Sequence, residues 1–156
     1  MKTIKRMTVV AAGAAILCAT GLATAGTASA DDGKGPYATC DLSIWDVCTT
    51  LYYNSNLQGS HTSFFGSDED FANDKFMSSG AGKGQGVKNN AASAHYWMRG
   101  GETGYRGVIY YNSNWKGPCD AIAENASANR LHNTYNENAS TTFGTSVFWD
   151  GCYLFN

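Results

Sequence analysis

The chain has 156 residues with a formal net charge of −2, 43% hydrophobic and 15% charged. Charged residues fall well below the roughly 25% of an average soluble protein, and all aromatics (7 Phe, 4 Trp, 9 Tyr) lie after residue 30, which counts against a disordered chain. After residue 30, eight basic residues face thirteen acidic ones, a net −5 that argues against a general nucleic-acid binder, which needs a basic stripe.

In chain order, Lys2, Lys5 and Arg6 precede an apolar stretch from about Met7 to Leu22, and Ala28-Ser29-Ala30 forms a small-x-small cleavage signal. Residues 1–30 therefore read as a signal peptide cut after Ala30, giving a secreted, extracellular protein. No other segment approaches the ~20 apolar residues of a membrane span, so no membrane attachment is expected after cleavage. Leu17 stands before Cys18 where a lipidation signal needs a small residue. Residues 31–39 form a short mature tail, and 40–156 are sized for one domain.

Short β-branched and aromatic runs predict strands at Thr49–Tyr53, Ser60–Phe65, Ala94–Met98, Val108–Tyr111 and Ser146–Phe148. Between them, Asp68–Met77 is the one helical candidate. Ser67 would cap it, Glu69 and Asp70 suit its first turn, and Phe71 and Phe76 would anchor it, although their spacing is imperfect for one helical face. The Gly-rich stretch Ser79–Gly86 reads as a flexible loop. Cys40, Cys48, Cys119 and Cys152 remain after cleavage, an even set in an exported chain, which predicts two disulfides. Three connectivities are open. The expected one is Cys40–Cys48, closing a short loop, and Cys119–Cys152, tying the last strand to the second half.

The chain repeats itself. Leu51-Tyr52-Tyr53-Asn54-Ser55-Asn56-Leu57-Gln58-Gly59 returns as Ile109-Tyr110-Tyr111-Asn112-Ser113-Asn114-Trp115-Lys116-Gly117, six identities in nine positions at an offset of 58. A second pair, Lys88–Ser93 and Asn136–Thr141, aligns at an offset near 48, which places an insertion of about ten residues in the first copy, around Ser79–Gly86. Strand runs stopped by Asn-Ser-Asn and Gly predict an all-β sandwich of Greek keys, with motif one at about 48–98 and motif two at about 106–156.

Tyr110-x₄-Trp115-x-Gly117 resembles the aromatic-x₄-aromatic-x-Gly signature of βγ-crystallin Greek keys, and Tyr52-x₄-Leu57-x-Gly59 resembles it with Leu in the second aromatic slot. Asn89–Ser93 and Glu137–Thr141 resemble the polar stretch that follows in that superfamily. The resemblance implies a disulfide-stapled, βγ-crystallin-like sandwich of two Greek-key motifs. Within the superfamily, Cys40…Cys48 ahead of Leu51-Tyr52-Tyr53, Gly84–Ser93 and the second Tyr-Tyr-Asn-Ser-Asn most resemble exported bacterial peptidase inhibitors of the actinobacterial metalloproteinase inhibitor type. That resemblance implies non-covalent binding of a secreted protease by a rigid loop.

Three site readings follow. By resemblance, Asn90, Ser93, Asn138 and Thr141 occupy calcium-ligand positions. Ala94 and Thr142 replace the final Ser of each copy, and Glu137 is the sole carboxylate, so any calcium site would be weak and no cofactor is required. For an inhibitor, the Cys40–Cys48 loop offers Leu42, Ile44 and Trp45 to an apolar protease pocket, with burial against the sandwich as the competing role for Ile44 and Trp45. Catalysis is not expected: His61, His95 and His132 are not spaced as ligands, HExxH and GxSxG are absent, and Asp68, Glu69, Asp70 and Asp74 read as a solvated face. The alternative function is a monomeric, non-inhibitory structural module, or one that binds a cell surface or carbohydrate through exposed aromatics.

Overall fold

The computed structural model describes residues 36–100 and 104–156. The expected signal peptide, 1–30, and the start of the tail lie outside the described residues. Strands β1 (Val47–Asn54) and β2 (Gln58–Phe64) form a hairpin, followed by a 3₁₀ turn at Phe71–Asn73 and strand β3 (Ser93–Met98). A second hairpin joins β4 (Arg106–Asn112) to β5 (Lys116–Ala123), and then come β6 (Ser127–Ala128), β7 (Ser140–Gly144), a one-turn helix α1 (Ser146–Trp149) and β8 (Tyr153–Phe155). Two four-stranded sheets result, ordered β2-β1-β3-β6 and β7-β4-β5-β8. Pairing is antiparallel except between β5 and β8. No helix among the described residues is long and apolar enough to cross a membrane.

The two hairpins turn identically because their sequences do. Asn56 and Leu57 adopt φ of 61° and 57°, and Asn114 and Trp115 adopt 59° and 55°, a left-handed pair that costs a bulky side chain energy unless something holds it. A buried serine does so in each copy. Ser93 Oγ donates to Asn54 O (2.6 Å) and accepts from Leu57 N (3.0 Å), while Ser140 Oγ donates to Asn112 O (2.7 Å) and accepts from Trp115 N (3.2 Å). The glycine two residues on is required as well: Gly117 has φ +83°, and a Cβ there would stand 2.7 Å from Asn112 Nδ2.

Each sheet borrows from the opposite half of the chain. β6 pairs with β3, and Asp68 bridges to Thr141 on β7 through N–H···O bonds of 2.8 and 2.9 Å. Between the sheets, Leu51, Phe64, Phe71, Phe76, Val87, Tyr96, Ile109, Ile122 and Leu131 form one core at 0–2% exposure. Fully burying an apolar side chain of this size stabilises by ~1.5–3 kcal/mol. Cys40 pairs with Cys48 and Cys119 with Cys152, which places the folded chain in a non-reducing environment.

Three local expectations are corrected. The helix over Asp68–Met77 does not form. Phe71 and Phe76 both enter the core, but from an extended path whose N–H groups are claimed elsewhere: Asp68 N by Thr141 O, Phe71 N by Ala139 O, Phe76 N by Gln85 O and Met77 N by His61 O. Only the 3₁₀ turn remains, capped by Asp70 and not by Ser67, whose hydroxyl instead bonds Thr142 Oγ1 at 2.6 Å. Ser146–Phe148 lies in α1 rather than a strand, with Val147 85% exposed, and the last strand comes later, at Tyr153–Phe155. The Ser79–Gly86 loop is packed rather than loose. Ala81 O accepts from Ser60 N, Gly84 N donates to Phe76 O, and Gly82, at φ +89°, lies so close to the Tyr53 ring that no Cβ fits.

Candidate functional sites

The Cys40–Cys48 loop is fixed at several points along its length. Asp41 accepts from Ser43 N (2.9 Å) and Ser43 Oγ (2.5 Å), hydrogen bonds that hold its carboxyl below the usual range. Asp41 O accepts from Ile44 N and Trp45 N, both at 3.2 Å, which winds the segment into a tight turn. At the far end, Arg99 N donates to Asp46 O at 2.7 Å, and the Arg99 guanidinium meets the Asp46 carboxylate at 2.8 Å. Trp45 stacks on Phe65, with centroids 5.4 Å apart. Leu42 is half-buried, while Ile44 stands out from the turn at 68% exposure. Of the three candidate contacts, Trp45 is thus partly committed to the fold and Ile44 is free of it.

The polar side chains of the Asn-rich stretches hydrogen-bond within the fold. Ser93, Asn138 and Thr141 are all 0% exposed. The Ser93 hydroxyl clamps its hairpin, and Thr141 Oγ1 donates to Val108 O at 2.9 Å. Asn138 Oδ1 accepts from Ala91 N at 3.0 Å, and its Nδ2 donates to Val87 O at 3.2 Å. Asn90, the fourth predicted position, is the one that lines a pocket. This pocket, of about 230 Å³, is formed with Tyr53, Asn54, Ser55, Ala92, Tyr135 and Asn136. The geometry also corrects the pairing of the two stretches. Ser93 and Ser140 make the same clamp, and Asn89 and Asn136 share left-handed φ of 61° and 54°, an offset of 47 rather than 48.

With that register, the place in the second half that corresponds to the Asn90 pocket holds a protein cation. Lys88 Nζ lies 2.7 Å from Asp70 Oδ1 and 3.0 Å from Ser113 Oγ, which itself donates to the same carboxylate oxygen at 3.0 Å. Burial raises the Asp70 pKa, but the bonds from Lys88 and Ser113 outweigh it and hold the carboxyl below its ordinary value. Sequence reading missed this trio because its members are 18 and 25 residues from Lys88 and share no motif. Among the described residues, no group of three His, Cys, Asp or Glu side chains converges to hold a metal.

No protein-family model and no curated protein matches the chain. Solved structures do. One, from work on the evolution of the eye lens βγ-crystallin domain fold, has a TM-score of 0.50 at 17% identity, covering 72% of this chain and 95% of that one. The fold is that of a βγ-crystallin domain. The N-terminal domain of protein S is a further neighbour, with a TM-score of 0.45 at 16% identity, covering 63% of this chain and 96% of that one. In this βγ-crystallin-type domain Tyr110 is 6% exposed and donates to Phe148 O, whereas Tyr52, Leu57 and Trp115 are half-buried and Trp115 Nε1 donates to Thr141 O at 3.0 Å.

The three histidines lie apart, each with its own partner. His61 Nδ1 bonds Ser78 Oγ at 2.9 Å, His95 Nδ1 bonds Ser127 Oγ at 2.7 Å and His132 Nδ1 bonds Asn133 Oδ1 at 2.9 Å. His95 is 8% exposed against Trp97, and its Nε2 has no hydrogen-bond partner among the described residues. Burial lowers its pKa, and that of His61, below the ordinary value. In the window between the depressed folded values and the ordinary ~6.5, the unfolded chain binds the extra protons, so stability is full above about pH 6.5 and falls as pH drops below it. We expect urea midpoints to decline on acidification from neutrality, by at most ~1.4 kcal/mol per pH unit for each histidine. His95→Gln should flatten part of that slope. An unchanged slope would assign it to other groups.

Proposed function

We propose that this chain is a secreted, non-catalytic inhibitor of extracellular proteases, of the metalloprotease class, which binds through the Cys40–Cys48 loop and needs no cofactor. The observation that carries the reading is Ile44, a large apolar side chain 68% exposed on a loop fixed by a disulfide, a carboxylate-capped turn, a ring stack and an ion pair. A loop already held in one shape loses little ordering entropy on binding. The segment is a turn rather than an extended strand, so contact would come from Ile44 entering an apolar subsite as a knob, with Ser43–Ile44 the bond nearest the protease. The choice of a protease as target rests on the resemblance of Cys40…Cys48, Gly84–Ser93 and the second Tyr-Tyr-Asn-Ser-Asn to exported peptidase inhibitors. The pocket at Asn90 is where a weakly held calcium ion would be sought.

The test is titration of the folded, oxidised protein against thermolysin-like and subtilisin-like proteases, with calcium in excess of what the protease requires. Stoichiometric inhibition of one class is the expected result. Ile44→Ser should then weaken inhibition by about 30-fold, on the order of 2 kcal/mol for a central anchor, with the fold intact. If Leu42, Ile44 and Trp45 variants all inhibit normally, another surface makes the contact. If no protease is inhibited at micromolar excess, the structural or surface-binding reading replaces this one.

A further inference from the structure

The two halves differ in what covers one aromatic ring. In the first half, Tyr53 is closed over by Gly82 of the packed Ser79–Gly86 loop and meets Phe76 edge-on at 5.6 Å. Its counterpart at the offset of 58, Tyr111, has no such loop above it and is 38% exposed. Tyr111 instead forms one side of a cleft of about 580 Å³, shared with Arg130, Leu131, His132, Asn133, Tyr135, Glu137, Tyr153 and Phe155. The opposite side is β8, a strand outside the duplicated hairpins, held by the Cys119–Cys152 disulfide and by Arg106, which donates to Phe155 O at 2.8 Å.

From this cleft we infer a second binding site, distinct from the cystine loop, for a pyranose oligosaccharide. Sugar rings present polarised C–H faces to aromatic planes and hydroxyls to planar polar side chains, and the cleft offers both. Tyr153 is 44% exposed, and its ring is kept in place by His132 stacked at 4.1 Å and 10° and by Phe155 at 5.0 Å. His132 in turn is fixed by Asn133, whose Nδ2 donates to Cys119 O at 2.9 Å. Arg130 lies over Tyr135 at 4.4 Å, and a guanidinium stacked on a ring keeps its N–H donors for other partners. Glu137 accepts from the Tyr111 hydroxyl, an interaction that raises the tyrosine pKa and leaves a carboxylate at the rim. Rigid rings with a few converging polar groups favour a neutral, hydroxyl-rich ligand over a purely apolar one. A single guanidinium opposite a single carboxylate gives no charge bias toward an acidic or basic peptide.

The test is an NMR titration of the oxidised protein with cellotetraose and, separately, with tetra-N-acetylchitotetraose. Saturable shifts from either sugar at Tyr111, Arg130, His132 and Tyr153 are expected. Tyr111→Ala and Tyr153→Ala should each weaken binding about tenfold, whereas Val147→Ser, on the exposed face of α1, should not. Because each tyrosine is already more than a third exposed, unchanged thermal melting is expected and would separate lost contact from lost fold. Absence of saturable shifts at millimolar sugar would overturn the proposal. So would shifts that map elsewhere, or concentration-dependent dimerisation that buries the cleft. None of these outcomes bears on the protease titration, so the two proposals fail independently.

Discussion

Asp120→Ala is expected to cost ~3–5 kcal/mol of stability, because it removes a fully buried carboxylate that accepts four hydrogen bonds. The carboxylate is 0% exposed on β5. Its Oδ1 accepts from Asn133 N at 3.0 Å, and its Oδ2 accepts from His132 N (3.1 Å), Thr134 N (3.0 Å) and Thr134 Oγ1 (2.7 Å). Three consecutive backbone N–H groups, of His132, Asn133 and Thr134, would lose their acceptor together. Asp120→Asn should fall between wild type and Ala, since an amide oxygen can serve one side of the fork while its NH₂ opposes an N–H on the other. The measurement is urea unfolding at neutral pH, with the loss read from the midpoint at unchanged slope. A loss below about 1 kcal/mol would mean the turn finds other acceptors. The same variant should blur the oligosaccharide cleft, because His132 and Asn133 belong to the turn that Asp120 holds.

Asn138→Ala is expected to follow, at ~2–4 kcal/mol. Its side chain joins the two halves by bonding Ala91 N and Val87 O, next to a reciprocal backbone pair in which Asn89 N donates to Asn138 O and Asn136 N to Ala91 O. Deleting it leaves the buried Ala91 N–H without its acceptor and Val87 O with Asn90 N as its remaining donor, at 3.0 Å. Asn138→Asp should be at least as harmful, since it sets an acceptor against the Val87 carbonyl. Thermal melting followed by both near- and far-UV circular dichroism checks the claim. A single coincident transition at lower temperature is expected, and two separated transitions would show that the halves unfold independently.

These predictions also show where the sequence was readable. The duplicated Tyr-Tyr-Asn-Ser-Asn hairpins were legible because left-handed Asn pairs and a following Gly leave a local signature, as were β1, β3 and β4, whose β-branched and aromatic runs coincide with their strands. β5 was not. Gly117-Pro118 reads as a break, yet it sits at a register shift opposite Tyr111, where a missing N–H is tolerated. The acidic run at Asp68–Asp74 has helical chemistry locally, and tertiary hydrogen bonds overrode it. Within the candidate sites, the exposure of Ile44 and the gathering of Tyr111, His132 and Tyr153 depend on contacts between distant segments. No periodicity encodes them.

The borrowing of strands between halves has a consequence for what the chain can become. Either half made alone would leave β3 or β7 without the neighbour that completes it, exposing unpaired N–H and C=O groups along a sheet edge. Such an edge is most readily satisfied by the missing segment of a second molecule, so severed halves would tend toward domain-swapped pairs rather than two small working domains. The two halves thus depend on each other for completed sheets, and any specialisation of one, such as the exposed Tyr111 of the second, rests on the other for its fold.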